Sequence, residues 1–180
     1  NDQNNAKALM REKRGLERVV EAYHRLQKHE GDTKTALELA ADGDAEMLKE
    51  SESVLAILDT ELHALEFSSK MKEQYDHTNA IVEVNSGSGG TEAQDWAEML
   101  LRMYFRFAER HGWNIRLLDE HRGAEAGIKS ATFAVEGHYA YGYLKAEAGV
   151  HRLVRISPFD DDKLRHTSFA LLEVLPDLGD

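Results

Sequence analysis

The feature that most constrains this chain is a change of hydrophobic period near Asp76-His77-Thr78. Before it, apolar residues recur at helical spacing; after it, they alternate. A chain that switches period once, with the two patterns kept apart, folds as helices followed by a sheet-containing domain. The expected class is therefore α+β. A helical hairpin domain over 1–77 precedes a mixed domain over 78–180 with an antiparallel sheet and one long packed helix.

The helical part reads as two long amphipathic helices and a connector. Leu9, Leu16, Val19, Tyr23 and Leu26 form a stripe expected to end near Gly31. Asp32 is placed to cap a short helix running to about Asp42, with Gly43 as its stop. Asp44 then caps a second long helix carrying Met47, Val54, Leu55, Leu58, Leu62 and Leu65. The two stripes are expected to bury each other in an antiparallel hairpin. No catalytic constellation lies here, and His24, His29 and His63 read as surface residues.

Beyond the switch, Ala80, Val82 and Val84 mark a strand. The turn Ser86-Gly87-Ser88-Gly89-Gly90-Thr91-Glu92 then opens a helix. Thr91 and Gln94 have capping-box spacing. Trp96, Leu100, Met103 and Phe107, flanked by Ala97, Leu101, Tyr104 and Ala108, give this helix a broad apolar surface that ends at Gly112. Strands are expected over Trp113–Leu118 and Ile128–Val135, separated by a polar loop around Glu120 to Gly123. A short helix is expected from Tyr139 to Ala148, with Gly142 arguing against it. The last unit, GVHRLVRISPFDDDKLRHTSF, is a strand from Gly149, a break at Ser157-Pro158-Phe159, and a returning strand from His166 to Pro176.

Composition narrows the function. With no Cys among 180 residues, disulfides, zinc–thiolate sites and thiol nucleophiles are excluded. The formal charge of −11 argues against broad binding of naked nucleic acid. A local basic cluster nevertheless falls in the last hairpin: His151, Arg152, Arg155, Lys163, Arg165 and His166. No apolar run is long enough to span a bilayer, so the expected setting is cytoplasmic, without a membrane partner. The first residue is Asn1, not Met, so a fragment or a processed form is expected.

The glycine turn is not a Walker A loop, because no Gly-Lys-Ser/Thr follows. Glu92 occupies the third glycine position of the dinucleotide fingerprint. A plain strand-to-helix connection and an anion- or base-receiving helix end both remain open for it. Ser157-Pro158-Phe159 is equally two-sided. Phe159 closes a strand end by packing inward, or is presented outward while Ser157 meets a base edge and His166 stacks. Asp160-Asp161-Asp162 with His166 lacks calcium-loop spacing and reads as a solvated loop. A Ser157, His166 and Asp160 triad lacks a nucleophile elbow. No cofactor and no metal is expected.

Taken together, SGSGGTEAQDWAEMLLRMY (86–104), AGIKSA (126–131), YGYLKAEAGVHRLVRISPF (141–159) and RHTSF (165–169) resemble the bacterial class I peptide chain release factors. The resemblance is to the Ser-Pro-Phe type, whose tripeptide reads UAA and UGA. It implies that Ser157, Pro158 and Phe159 belong to a codon-recognition loop. It also implies that His166 stacks in the decoding centre, that Thr167 lies near the third base, and that Gly89, Gly90 and Glu92 meet the first uridine. The partners implied are the ribosome and an mRNA stop codon. The helical domain would face the ribosomal factor-binding side.

Two departures stand out. Leu164-Arg165 replaces the usual basic pair before the histidine. The Gly-Gly-Gln tripeptide through which the family promotes peptidyl-tRNA ester hydrolysis is absent, since Gly89-Gly90 continues into Thr91. The expectation is translation termination with the reading half present and the hydrolytic half missing. The alternative is a release-factor-like RNA-binding or ribosome-associated protein that naturally lacks the catalytic domain.

Overall fold

A computed structural model describes residues 2–41 and 45–179. The chain divides into two compact units after Lys70. In the first, α1 (Asp2–Ala41) and α2 (Ala45–Lys70) pack along each other. Arg25 Nε reaches Glu61 Oε1 at 3.5 Å, and these residues are equally far from the connection, so the helices run antiparallel.

The expected break at Gly31 does not occur, and α1 passes through it as one helix of 40 residues. Gly31 has ordinary negative φ, and the turns around it are tied by Thr33 Oγ1 donating to His29 O and Thr35 Oγ1 to Gly31 O. A mid-helix glycine costs only about 1 kcal/mol, which continued helix and packing offset. Asp32 therefore lies inside the helix and caps nothing. The stops and caps expected at Asp42, Gly43 and Asp44 fall outside the described residues.

The seam also differs from the expected stripe. On α1 it is built from Ala22, Leu26, His29, Thr33, Ala36 and Ala40, while Leu9, Leu16, Val19 and Tyr23 stay exposed. On α2, Met47, Val54, Leu58 and Leu65 turn inward, but Leu55 and Leu62 do not. One partner helix covers one narrow seam, and small residues let the backbones approach most closely. His29, expected at the surface, is half-buried in that seam.

The second unit is a five-stranded antiparallel sheet with one long helix across a face. Its strands are β1 (Asn79–Ser86), β2 (Asn114–Arg122), β3 (Ile128–Glu136), β4 (Gly149–Ile156) and β5 (Arg165–Asp177), in the order β2-β3-β1-β5-β4. Helix α3 (Gly90–Arg110) packs on it, and a short α4 (Ala140–Leu144) runs into a 3₁₀ turn, Lys145–Glu147. Alternation puts Ala80, Val82 and Val84 of β1 under α3, with Ala131, Phe133 and Val135 of β3 and Ala170 and Leu172 of β5. The helix answers with Ala97, Leu100, Leu101, Tyr104 and Ala108. Its small residues admit close approach, and Phe105 meets the fully buried Phe133 edge-on at 5.1 Å.

Three local expectations change. β2 runs on to Arg122 instead of ending in a loop after Leu118, because register shifts at Leu117/Asp119 and His121/Arg122 keep it paired with β3. No capping box forms: Gly89 is the N-cap, and Thr91, already inside α3, donates to Glu125 Oε2 at 2.8 Å. The α4 segment is helical for only Ala140–Leu144, with Ala140, Gly142 and Leu144 inward and the tyrosines half-buried. Gly142 is there because a side chain does not fit. A Cβ would stand 2.7 Å from Met71 Sδ and 2.9 Å from Asp76 O.

These choices bring the chain after α2 onto the second unit. Gly142 N–H donates to Asp76 O at 3.1 Å, and Tyr141 N–H to Thr78 O at 3.1 Å. The buried Asp76 carboxylate takes Lys145 Nζ at 2.6 Å and Glu73 N–H at 3.0 Å. The other face of the sheet mixes exposed apolar side chains, Val150, Val154, Ile156, Phe169, Leu171 and Leu175, with the exposed Arg152, Arg165 and Glu173. Phe169 and Leu171 take this face because Ser168, Ala170 and Leu172 occupy the face under α3. Among the described residues, no helix is long and apolar enough to cross a membrane.

Candidate functional site

The predicted residues lie at two places far apart in sequence that the sheet order makes neighbours. β1 pairs with β5, so the glycine turn leaving β1 starts beside the beginning of β5. Gly87 N–H donates to Phe169 O at 2.9 Å, and a Cβ on Gly87 would lie only 2.6 Å from that oxygen. This close approach requires glycine. Gly90, at φ +58°, then turns the chain into α3 with no side chain capping the helix end. The free N–H groups of a first helical turn and its positive dipole end are thus left at the tip.

The 157–166 loop closes the β4–β5 hairpin. Ser157 N–H donates to Leu164 O at 3.0 Å. Ser157 is buried, with its Oγ accepting Phe159 N–H at 3.0 Å, whereas Phe159 itself is 47% exposed and Pro158 is exposed. Of the two placements open for Phe159, the structure has the outward one. Proline stops the strand, and the serine-braced turn points the aromatic away from the sheet.

Asp160 organises the rest of the loop. Its Oδ1 accepts Asp162 N–H at 3.1 Å, its Oδ2 accepts Leu164 N–H at 3.3 Å, and its carbonyl accepts Lys163 N–H at 3.1 Å. The Asp162 and Leu164 amides, with His166, hold its carboxyl below the ordinary aspartate value. Asp161 and Asp162 are exposed, as a solvated loop requires, while Asp160 makes the loop an ordered turn. Lys163, at φ +52°, completes it.

Charge joins the two places. Glu92, in the first turn of α3, has both carboxylate oxygens buried without a hydrogen bond. They are faced instead by Arg155 Nη2 at 3.6 Å and His166 Nδ1 at 3.6 Å. Arg155 also pairs closely with Asp95 and donates to Met99 Sδ at 3.4 Å. His166 Nε2 lies 3.1 Å from Asp160 Oδ2. Arg155 and His166 are register partners across β4 and β5, which is why one glutamate reaches both.

The structure thus brings Glu92, His166 and the Ser157–Phe159 turn into one region, with Gly89 and Gly90 at the adjoining helix end. Thr167, exposed, follows His166 on β5. The basic cluster read from sequence is divided. Arg152, Lys163 and Arg165 are exposed, but Arg155 and His166 face carboxylates, and His151 turns to Glu147 O at 2.8 Å. Sequence reasoning missed Asp95 and the pairing role of Arg155. The available signal was the i, i+3 spacing of Glu92 and Asp95, which puts two acids on one face of the helix start.

The sequence matches the PCRF domain family over residues 1–172. The chain belongs to the PCRF domain family. Among curated relatives of this PCRF chain, peptide chain release factor 2 of Listeria innocua serovar 6a is 44% identical, covering 100% of this chain and 50% of the relative. Peptide chain release factor 2 of Exiguobacterium sp. is 46% identical over 99% of this chain and 49% of its own length. A solved structure, RF2 of Thermus thermophilus, shares 45% identity at a TM-score of 0.64, covering 91% of this chain and 46% of that one. The α+β class and the resemblance to release factors expected from sequence are therefore borne out. The PCRF chain spans about half the length of the curated relatives it matches.

Proposed function

We propose that this PCRF chain reads stop codons UAA and UGA on the ribosome, as the recognition part of a translation termination factor. The observation that carries the reading is the junction of the α3 tip and the 157–166 loop through Glu92, which faces both Arg155 and His166. A helix end with free N–H groups, an exposed aromatic on a braced turn and a half-exposed histidine form a surface suited to unstacked bases. In this reading Gly89, Gly90 and Glu92 receive the first base. Ser157, Pro158 and Phe159 form the selecting turn, His166 stacks, and Thr167 lies near the third base.

Residues 78–180 are then a codon-recognition domain acting in the decoding centre, and residues 1–77 a helical domain directed to the factor-binding side. The longer protein promotes peptidyl-tRNA ester hydrolysis through residues outside this sequence, and the setting is the cytoplasm.

The test is equilibrium binding of the 180-residue chain to ribosomes programmed with UAA, UGA, UAG or a sense codon. Preference for UAA and UGA is expected. Ser157→Ala, which removes the brace under Phe159, and His166→Ala, which removes the stacking ring, should each weaken it while leaving the circular dichroism spectrum unchanged, the latter by about 1–3 kcal/mol. A release assay with the same chain should give no hydrolysis. Equal binding to all four codons would discard codon reading and leave a ribosome-associated or RNA-binding protein.

A further inference from the structure

Stacking on a base requires a ring whose plane is held before the base arrives. In this structure both ring nitrogens of His166 face carboxylates. Nε2 stands 3.1 Å from Asp160 Oδ2, within hydrogen-bond reach, and Nδ1 stands 3.6 Å from Glu92 Oε1. The carboxylates come from different elements, one from the loop and one from α3. The side chain is nevertheless 41% exposed.

We propose that Asp160 is the positioning residue for His166: one carboxylate shapes the loop and fixes the tautomer and orientation of the imidazole that reads the codon. This rests on the codon-reading proposal above and deepens it. Asp162 N–H donates to Asp160 Oδ1 and Leu164 N–H to Oδ2, and His166 Nε2 lies 3.1 Å from that same Oδ2. The same side chain that closes the turn after Phe159 therefore sets where His166 sits, so the selecting turn and the stacking ring move as one piece. A carboxylate is a pure acceptor, so in the neutral imidazole the hydrogen belongs on Nε2. Glu92 is the weaker partner, because its distance exceeds hydrogen-bond range and Arg155, itself paired with Asp95, shares it. Release of Nε2 would move the hydrogen to Nδ1, toward Glu92.

Two variants separate this from a loop-shaping role alone. Asp160→Ala removes every acceptor. Asp160→Asn keeps one oxygen, which can serve both Leu164 N–H and Nε2–H when turned toward them. Long-range proton–nitrogen spectra of the 180-residue chain, taken with the ring neutral, report the tautomer. Binding to UAA-programmed ribosomes is measured in parallel.

The expected result is Nε2–H in the parent and in Asp160→Asn, a shift to Nδ1–H in Asp160→Ala, and binding by Asp160→Ala weaker by about fivefold or more. Asp161→Asn, with the same loss of charge one residue away, should match the parent in both measurements. A parent without a predominant Nε2–H form, or an Asp160→Ala protein that keeps it, overturns the assignment. So does an Asp160→Ala protein whose tautomer shifts while its binding stays at the parent value. A parent that prefers no stop codon removes the codon-reading proposal instead, and the spectra, taken without ribosomes, still decide whether Asp160 holds His166.

Discussion

Replacing Arg155 by Met tests the charge junction most directly. The side chain is 26% exposed and its guanidinium faces Asp95 and Glu92. Methionine keeps most of the packing volume and removes the charge. A hydrogen bond to a charged partner contributes about 1.5–3 kcal/mol, and removing one member of a fully buried pair costs about 3–5 kcal/mol. Here water reaches a quarter of the arginine and of Asp95, so the expected loss is about 2–3 kcal/mol. For a unit of this size that lowers Tm by about 8–12 °C.

Both tryptophans, Trp96 and Trp113, lie in the second unit, so urea unfolding followed by fluorescence reports on that unit alone. The decisive comparison is the double variant. With Arg155 gone, Glu92 is left with buried carboxylate oxygens and His166 at 3.6 Å, and Glu92→Gln should recover about 1 kcal/mol. In the parent the same substitution should destabilise. If the two single losses simply add to within about 0.5 kcal/mol, or if Arg155→Met is as stable as the parent, the junction is not a coupled unit.

Three further outcomes follow from other contacts. Gly142→Ala should destabilise the second unit by about 1–3 kcal/mol in the same urea assay, because the new Cβ meets the Asp76 carbonyl as well as the more yielding Met71; parent-like stability would show that the segment moves aside freely. Lys145 holds the Asp76 carboxyl below its ordinary value of 3.8, and Asp76 in turn raises Lys145 above 10.5. The pair's contribution is therefore present between those ordinary values. It is lost as pH falls through the lowered Asp76 value, and again as pH rises through the raised Lys145 value. Asp76→Asn should flatten the Tm-against-pH curve at both ends, and an unchanged curve would contradict the pairing. Leu164→Arg places a cation on an exposed loop position whose backbone alone serves the turn. Ribosome binding should tighten, with the log–log salt slope steeper by about 1; an unchanged slope would mean that position 164 meets no phosphate.

Much of the second unit was legible because β1, β3 and β4 alternate clearly and have glycine or proline close to an end. β4 was expected over Gly149–Ile156 and is found there. α3 was legible from a broad apolar surface between Gly89 and Gly112. What misled was local punctuation taken alone. Gly31 looks like a stop, but with two threonines bonding back to the preceding turn and a partner helix packed alongside, it is continued through. Thr91 and Gln94 have the right spacing for a capping box, but Thr91 had a partner in Glu125 that no local window contains. In the site, the Ser-Pro-Phe turn and His166 stood out in sequence. Asp160 did not, since one acid in a run of three gives no sign that its oxygens are aimed inward.

By itself, the sequence determined the class of fold and the change from helical to alternating period, and it drew attention to the glycine turn and to the Ser157–His166 segment. These are properties of period and of residue type, and they act within a few positions along the chain. Only the tertiary structure decided that these two places meet. The order β1-β5-β4 carries the Gly87 turn to Phe169, and the pairing of Arg155 with His166 lets Glu92 face both. It also decided which way Phe159 points, because Ser157 turned inward to brace the loop. Strand order and register depend on which apolar faces are buried together, and that is a property of the whole unit.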